Sequence, residues 1–152
     1  MFIRTILFLI LNFAALWLGS SYTQDGVGSD WYQNINKAPW TPAGWVFGVA
    51  WTSIMVCFSI FMAKIWTVES DKKILISMYL FQWILNFSWN PIFFFYKDVA
   101  LALLVILGLT TLVAYFFIRY LWDLRAHSLW ISPYLIWLFI ASSLNAYILF
   151  YN

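Results

Sequence analysis

Charged side chains divide this chain into lengths. No Asp, Glu, Lys, Arg or His occurs in 5–24, 38–63, 74–96, 99–118 or 128–152, and each of these stretches runs 20 to 26 residues. A helix needs about 20 residues to cross hydrocarbon. Inside hydrocarbon every backbone N–H and C=O must be satisfied within the protein, which leaves helices or a closed barrel. The runs are continuously apolar, without the alternation of a barrel strand, so the pattern predicts helices. Five spans follow, at 3–20, 44–66, 74–96, 99–121 and 129–151, in one all-α transmembrane domain of residues 1–152.

The connections differ in length. Those around Val68–Lys73, Lys97–Asp98 and Trp122–Ser128 are short; the first, 21–43, is long and carries Gly26, Gly28, Pro39 and Pro42, so it reads as a lid loop. Pro91, late in the third span, removes a backbone bond and displaces the Phe87 carbonyl, which predicts a kink. Pro133 falls in a first turn, where a missing N–H costs little. A competing reading of the N-terminus is a cleaved leader, with Arg4, an apolar run from Thr5 to Leu18, then Gly19-Ser20-Ser21.

Composition changes the picture by exclusion. Of the 152 residues 64% are hydrophobic and 9% charged. A soluble domain carries about 25% charge, so this chain could not cover its own surface with polar groups, and a soluble enzyme is excluded. A net charge of +2 is too small to serve as a phosphate footprint, so no nucleic-acid partner is expected. With five spans, Arg4, Lys64, Lys72, Lys73, Arg119 and Arg125 share one side, against Lys37 and Lys97 on the other. That bias predicts a cytoplasmic N-terminus. Cys57, the single cysteine, reads as a packing residue, and the lone His127 as a solvated loop residue. No metal site is expected. No span carries an ionisable group at its centre, which leaves an ion-coupled pump without parts.

The chain holds 11 Trp, 9 Tyr and 15 Phe. An interfacial belt accounts for Trp17, Tyr22, Trp66, Tyr96, Trp122, Trp130 and Tyr151 near span ends. It does not account for Trp51, Trp83, Trp89 and Trp137 inside spans, nor for Trp31, Tyr32, Trp40 and Trp45 in and beside the lid loop. An interior indole needs a partner for its N–H and offers a broad face to a flat ligand. Trp83, Asn86, Trp89 and Asn90 share one helical face, as do Trp137, Ala141 and Asn145. Asn86 either bonds to a neighbouring helix or faces a ligand, because a buried amide without a partner is costly.

Three stretches carry a family resemblance. They are Trp31 to Phe47 with Ala50-Trp51-Thr52, Gln82 to Trp89, and Pro133 to Trp137 with Ala141 and Leu144-Asn145. The chain resembles the tryptophan-rich sensory protein and translocator protein family, once called peripheral benzodiazepine receptors, over nearly its whole length. The resemblance implies a five-helix membrane bundle, a homodimer, that binds porphyrins and isoquinoline or benzodiazepine ligands inside each bundle beneath the first loop. Carried over position by position, the site would use Tyr32, Trp40, Trp51, Asn86, Trp89, Trp137 and Ala141. Porphyrin would be a ligand, with no cofactor required. Catalytic residues are expected only if porphyrin is degraded in light, by Trp51 and Trp137; tetrapyrrole or lipid transport is a further alternative. The chain departs from the family at Ala43, Val49 and Met55. No basic residue follows Arg125, so the cholesterol-type pattern begun by Leu144 and Tyr147 is incomplete.

Overall fold

The computed structural model describes residues 1–152, and all of the chain's regular structure is helical. Helix α1 spans Phe2–Val27, the short α2 Asp30–Asn34, α3 Gly44–Val68, α4 Lys72–Asn90, α5 Val99–Leu124 and α6 Ser132–Tyr151. A single π-helical turn, Pro91–Phe95, continues α4, and a 3-10 helix, Arg125–Ile131, joins α5 to α6. Polar side chains start the helices that follow loops. Ser29 Oγ accepts from the Tyr32 N–H, Asp71 from Lys73 and Ile74, and Asp98 from Leu101. Each satisfies N–H groups that a helix start leaves without partners.

A helix lies over each of the five expected stretches, with shifted ends. The first runs on through Val27, so the lid loop keeps only residues 28–43 and contains α2. At Pro91 the chain answers with a π turn, in which the Tyr96 N–H reaches the Pro91 carbonyl at 2.9 Å. The wider turn absorbs the missing proline N–H. Residues 129–131, placed in the fifth span by their apolarity, belong to the 3-10 connection. α1, α3 and the Val99–Tyr151 run are long and apolar enough to cross a membrane, the last folding back on itself as α5 and α6. α4 is less apolar because it carries Gln82, Asn86, Ser88 and Asn90, and these turn toward its neighbours.

The helices close a ring in the order α1–α3–α6–α5–α4, returning to α1. α1 is built into it. Asn12 Nδ2 donates to Ser59 Oγ on α3 at 2.8 Å, and the Tyr79 hydroxyl on α4 donates to Asn12 Oδ1 at 2.7 Å. Small residues allow close approach where α1 meets α4, since Gly19 lies against Asn90 and Gly26 against Phe94.

Packing inside the ring is uneven. Every buried residue of α3 lies between Ile54 and Ile65, and none lies in Gly44–Ser53. Phe58, Phe61, Met62, Phe116 and Tyr120 fill the half of the ring that ends at Glu69 and Arg119. The other half, beneath the lid, holds larger aromatic side chains, of which Trp51 and Trp89 are only partly buried.

Candidate functional site

Helices α4 and α6 face each other across the ring and are bridged by long side chains at two levels. Gln82 Nε2 donates to the Tyr134 hydroxyl at 2.8 Å. Seven residues further along α4, the Trp89 indole donates to Asn145 Oδ1 at 3.0 Å, and Asn145 Nδ2 donates on to the Val99 carbonyl at 2.9 Å. Asn86 sits on α4 between these levels. Its backbone carbonyl accepts from Asn90, but its side-chain amide makes no hydrogen bond within the chain, although the residue is only 8% exposed. Gln82 is also incompletely satisfied, since its Oε1 is buried without a partner.

On the facing wall Trp51 of α3 meets Trp137 of α6 edge to face, with ring centroids 6.5 Å apart. Phe47 and Tyr134 complete this group, Phe47 lying 5.2 Å from Trp137 and Tyr134 lying 6.2 Å from Trp51. Trp137 is buried and Trp51 half-buried. Ala141 follows Trp137 by one turn on the inward face and packs partly buried against the core. Aromatic side chains therefore occupy the space between α3 and α6 where the sequence suggested an open pocket.

The lid closes this end. Tyr32 packs on Phe93 and Phe94 of the π turn, with centroids 6.4 and 5.5 Å away. Burial pushes its phenol above the ordinary value, so Tyr32 stays neutral. Trp89 stacks on Phe93 at 5.1 Å, so lid, π turn and α4 form one aromatic block. The far end of the loop is clamped to the end of α6, where Asn36 N–H donates to Asn152 Oδ1 at 2.7 Å and Asn36 Nδ2 to the Tyr151 carbonyl at 3.1 Å.

Of the seven residues named from the sequence, Trp51 and Trp137 meet between α3 and α6, with Ala141 one turn beyond Trp137. Tyr32 and Trp89 share the aromatic block at the lid, with Asn86 one turn before Trp89. Trp40 joins neither group. It is 55% exposed, donates to Ser143 Oγ at 3.1 Å and meets Tyr147 at 5.4 Å. Ser143 lies on the side of α6 opposite the Trp137–Ala141–Asn145 stripe, because the Asn36 clamp leads the chain down the outside of that helix. The stripe on α4 is also divided. Trp83 donates to the Leu11 carbonyl of α1 at 3.0 Å, and Asn90 accepts from Thr23 of α1 at 2.7 Å, while Trp89 faces α6. Asn12, Gln82 and Tyr134 lie outside the set to which the sequence points. A lone amide in an apolar run marks the first two; nothing in sequence marks Tyr134 above other tyrosines.

A family model, TspO/MBR family, matches residues 7–151. The chain belongs to the TspO/MBR family. It is 36% identical over 120 residues to the tryptophan-rich sensory protein of Cereibacter sphaeroides, covering 76% of this chain and 73% of that one. The tryptophan-rich protein TspO of Archaeoglobus fulgidus is 32% identical over 129 residues, covering 84% and 82%. The human translocator protein is 29% identical over 138 residues, covering 85% and 78%. Each match spans most of both chains, so the five-helix ring as a whole is the TspO/MBR unit. Apolar helices and family together make this an integral membrane protein.

Proposed function

We propose that this protein is a membrane receptor or sensor that takes a flat tetrapyrrole, of the protoporphyrin IX kind, between α3, α4 and α6 beneath the lid. Isoquinoline and benzodiazepine-type ligands would share the place. The observation that carries the reading is Asn86, a mostly buried residue whose amide makes no hydrogen bond within the chain, one turn before Trp89 on the helix that faces α6. A buried amide costs about 1–3 kcal/mol unless it is bonded, so a ligand that supplies the bond gains that much on entering. A macrocycle enters by lifting the lid and moving the half-buried Trp51 off Trp137, and the sparse packing of Gly44–Ser53 makes that movement inexpensive. The basic end, with six of the eight Lys and Arg residues, faces the cytoplasm and the lid faces away.

Absorption titration of the purified protein with protoporphyrin IX should saturate and quench tryptophan fluorescence. Asn86→Leu should weaken binding about 5- to 150-fold at an unchanged melting temperature, because it removes a ligand bond and no internal one. A flat titration in well-folded protein overturns the reading. The Trp51–Trp137 contact favours one second reading, light-dependent breakdown of the bound porphyrin. Illumination should then give a new pigment, abolished by Trp51→Phe while binding survives.

A further inference from the structure

At the basic end, outside the ring, α1 and α4 part to leave a groove of about 500 Å³. Its walls are Arg4, Leu7 and Leu11 of α1, Trp66 of α3, and Ile76 and Leu80 of α4. Phe8 and Tyr79, edge to face at 5.0 Å, form the buried floor. We propose that this groove is a site for an anionic phospholipid, with an acyl chain along the apolar walls and the phosphate held at the mouth by Arg4 and Lys73.

The two helices run parallel here, because Phe8 meets Tyr79, Leu11 meets Trp83 and Gly19 meets Asn90 in rising order. Their basic residues therefore reach the mouth together. Arg4 stands one turn before Phe8, a rise of about 6 Å, and Lys73 six residues before Tyr79, about 9 Å. Lys73 precedes Ile76 by three residues and Leu80 by seven, which puts it on the groove face of α4. Both cations are exposed and unpaired, since the two ion pairs of the chain both belong to Arg119.

The acids of the same end are all engaged within the chain, Asp123 with Arg119 and Asp71 at the backbone N–H of Lys73 itself. Glu69 accepts from Tyr120 and Arg119 on the α5 side, and Asp71 caps α4. Lys72 adds a third positive charge beside the groove, its ammonium 5.5 Å above the Trp66 ring. An apolar trough that opens beneath several basic groups at a membrane surface matches a headgroup phosphate and its chain, and a zwitterionic lipid matches it less well. The site lies on the outer face of the ring at the end opposite the lid, so it stands or falls separately from the tetrapyrrole reading.

Native mass spectrometry of the detergent-purified full chain, titrated with phosphatidylglycerol and with phosphatidylcholine of identical acyl chains, tests it. Phosphatidylglycerol should bind tighter, with each basic side chain contributing about fivefold. Arg4→Gln with Lys73→Gln should bring it to the level of phosphatidylcholine. Leu80→Trp, which fills the groove, should weaken both lipids, whereas Arg125→Gln at the same end should leave the preference in place. Equal binding of the two lipids by the unaltered chain overturns the proposal. So does a preference that survives the double variant, or one that Arg125→Gln lowers as much. If Leu80→Trp removes a dimer from the same spectra and leaves lipid binding untouched, the groove belongs to a second copy of the chain and the lipid site is wrong.

Discussion

Trp89 and Asn145 tie the third membrane helix to the last through one hydrogen bond of 3.0 Å, and the same asparagine holds the Val99 carbonyl at the start of α5. One side chain thus joins α4, α5 and α6 at the lid end. Asn145→Leu keeps the volume and removes both bonds, leaving the Trp89 N–H without a partner. Two lost bonds inside a membrane bundle correspond to about 1–3 kcal/mol. The melting temperature in detergent should fall clearly. An unchanged value would mean that the bridge forms without stabilising the bundle.

Gly26 offers a sharper steric test. A Cβ there would overlap the Phe94 ring, and Phe94 is itself held by Tyr32, Trp89 and Phe93. Nothing in that block yields easily, so Gly26→Ala should destabilise by about 1–3 kcal/mol. It should also loosen the lid, read as faster proteolysis within 28–43. Gly48→Ala is the internal comparison. No atom lies within 4 Å of the Cβ it adds, and removing a mid-helix glycine favours the helix by up to about 1 kcal/mol.

Glu69, at the other end, should make stability depend on pH. Its carboxylate accepts from the Tyr120 hydroxyl at 2.7 Å, from the Asp71 N–H at 3.0 Å and from Arg119 at 3.4 Å. The Tyr120 bond first, then the backbone bond to Asp71, hold its pKa below the ordinary 4.5. The folded chain therefore binds fewer protons than the unfolded chain just below that value. The latch contributes fully above pH 4.5, and its contribution is lost as pH falls through the depressed folded value. Melting temperature measured from pH 6 down to about pH 3 should fall more steeply for the unaltered chain than for Glu69→Gln. Tyr120→Phe should lie between them, because it removes the strongest of the three bonds. Parallel curves would show that Glu69 is not coupled to folding.

What could be read in advance divides along physical lines. The five helices were legible because Arg4, Lys64, Lys73, Asp98 and their like interrupt an otherwise apolar chain, and membrane thickness does the rest. The continuation of α1 through Thr23, Gln24 and Asp25 was not, because polar residues there look like loop until Asn90 supplies Thr23 with a partner. Trp51, Trp89 and Trp137 stood out as indoles too deep for the interface. The place of Trp40 depends on the Asn36–Asn152 clamp, which joins residues 116 apart. No local pattern encodes such a contact. That Asn86 would be buried followed from its position in a span; that its amide would lack a partner needed the positions of α1 and α6.

Ala141 gives the most exposed test of the site. It sits between Trp137 and Asn145 on the inward face of α6, partly buried, where any added volume points into the ring. Thr at this position adds a branched methyl and a hydroxyl, and the hydroxyl can bond back to the Trp137 carbonyl, which keeps it tolerable in a membrane helix. If the region receives a ligand, Ala141→Thr should weaken protoporphyrin binding about 5- to 30-fold, equivalent to about 1–2 kcal/mol. The melting temperature should change little, because the half of the ring beneath the lid is sparsely packed and can absorb a methyl group. If Ala141 serves close helix packing instead, the balance reverses, with a clear drop in melting temperature and an unaltered affinity. Measuring both quantities on the same purified variant separates the two, and the reversed result would move the ligand site away from α6.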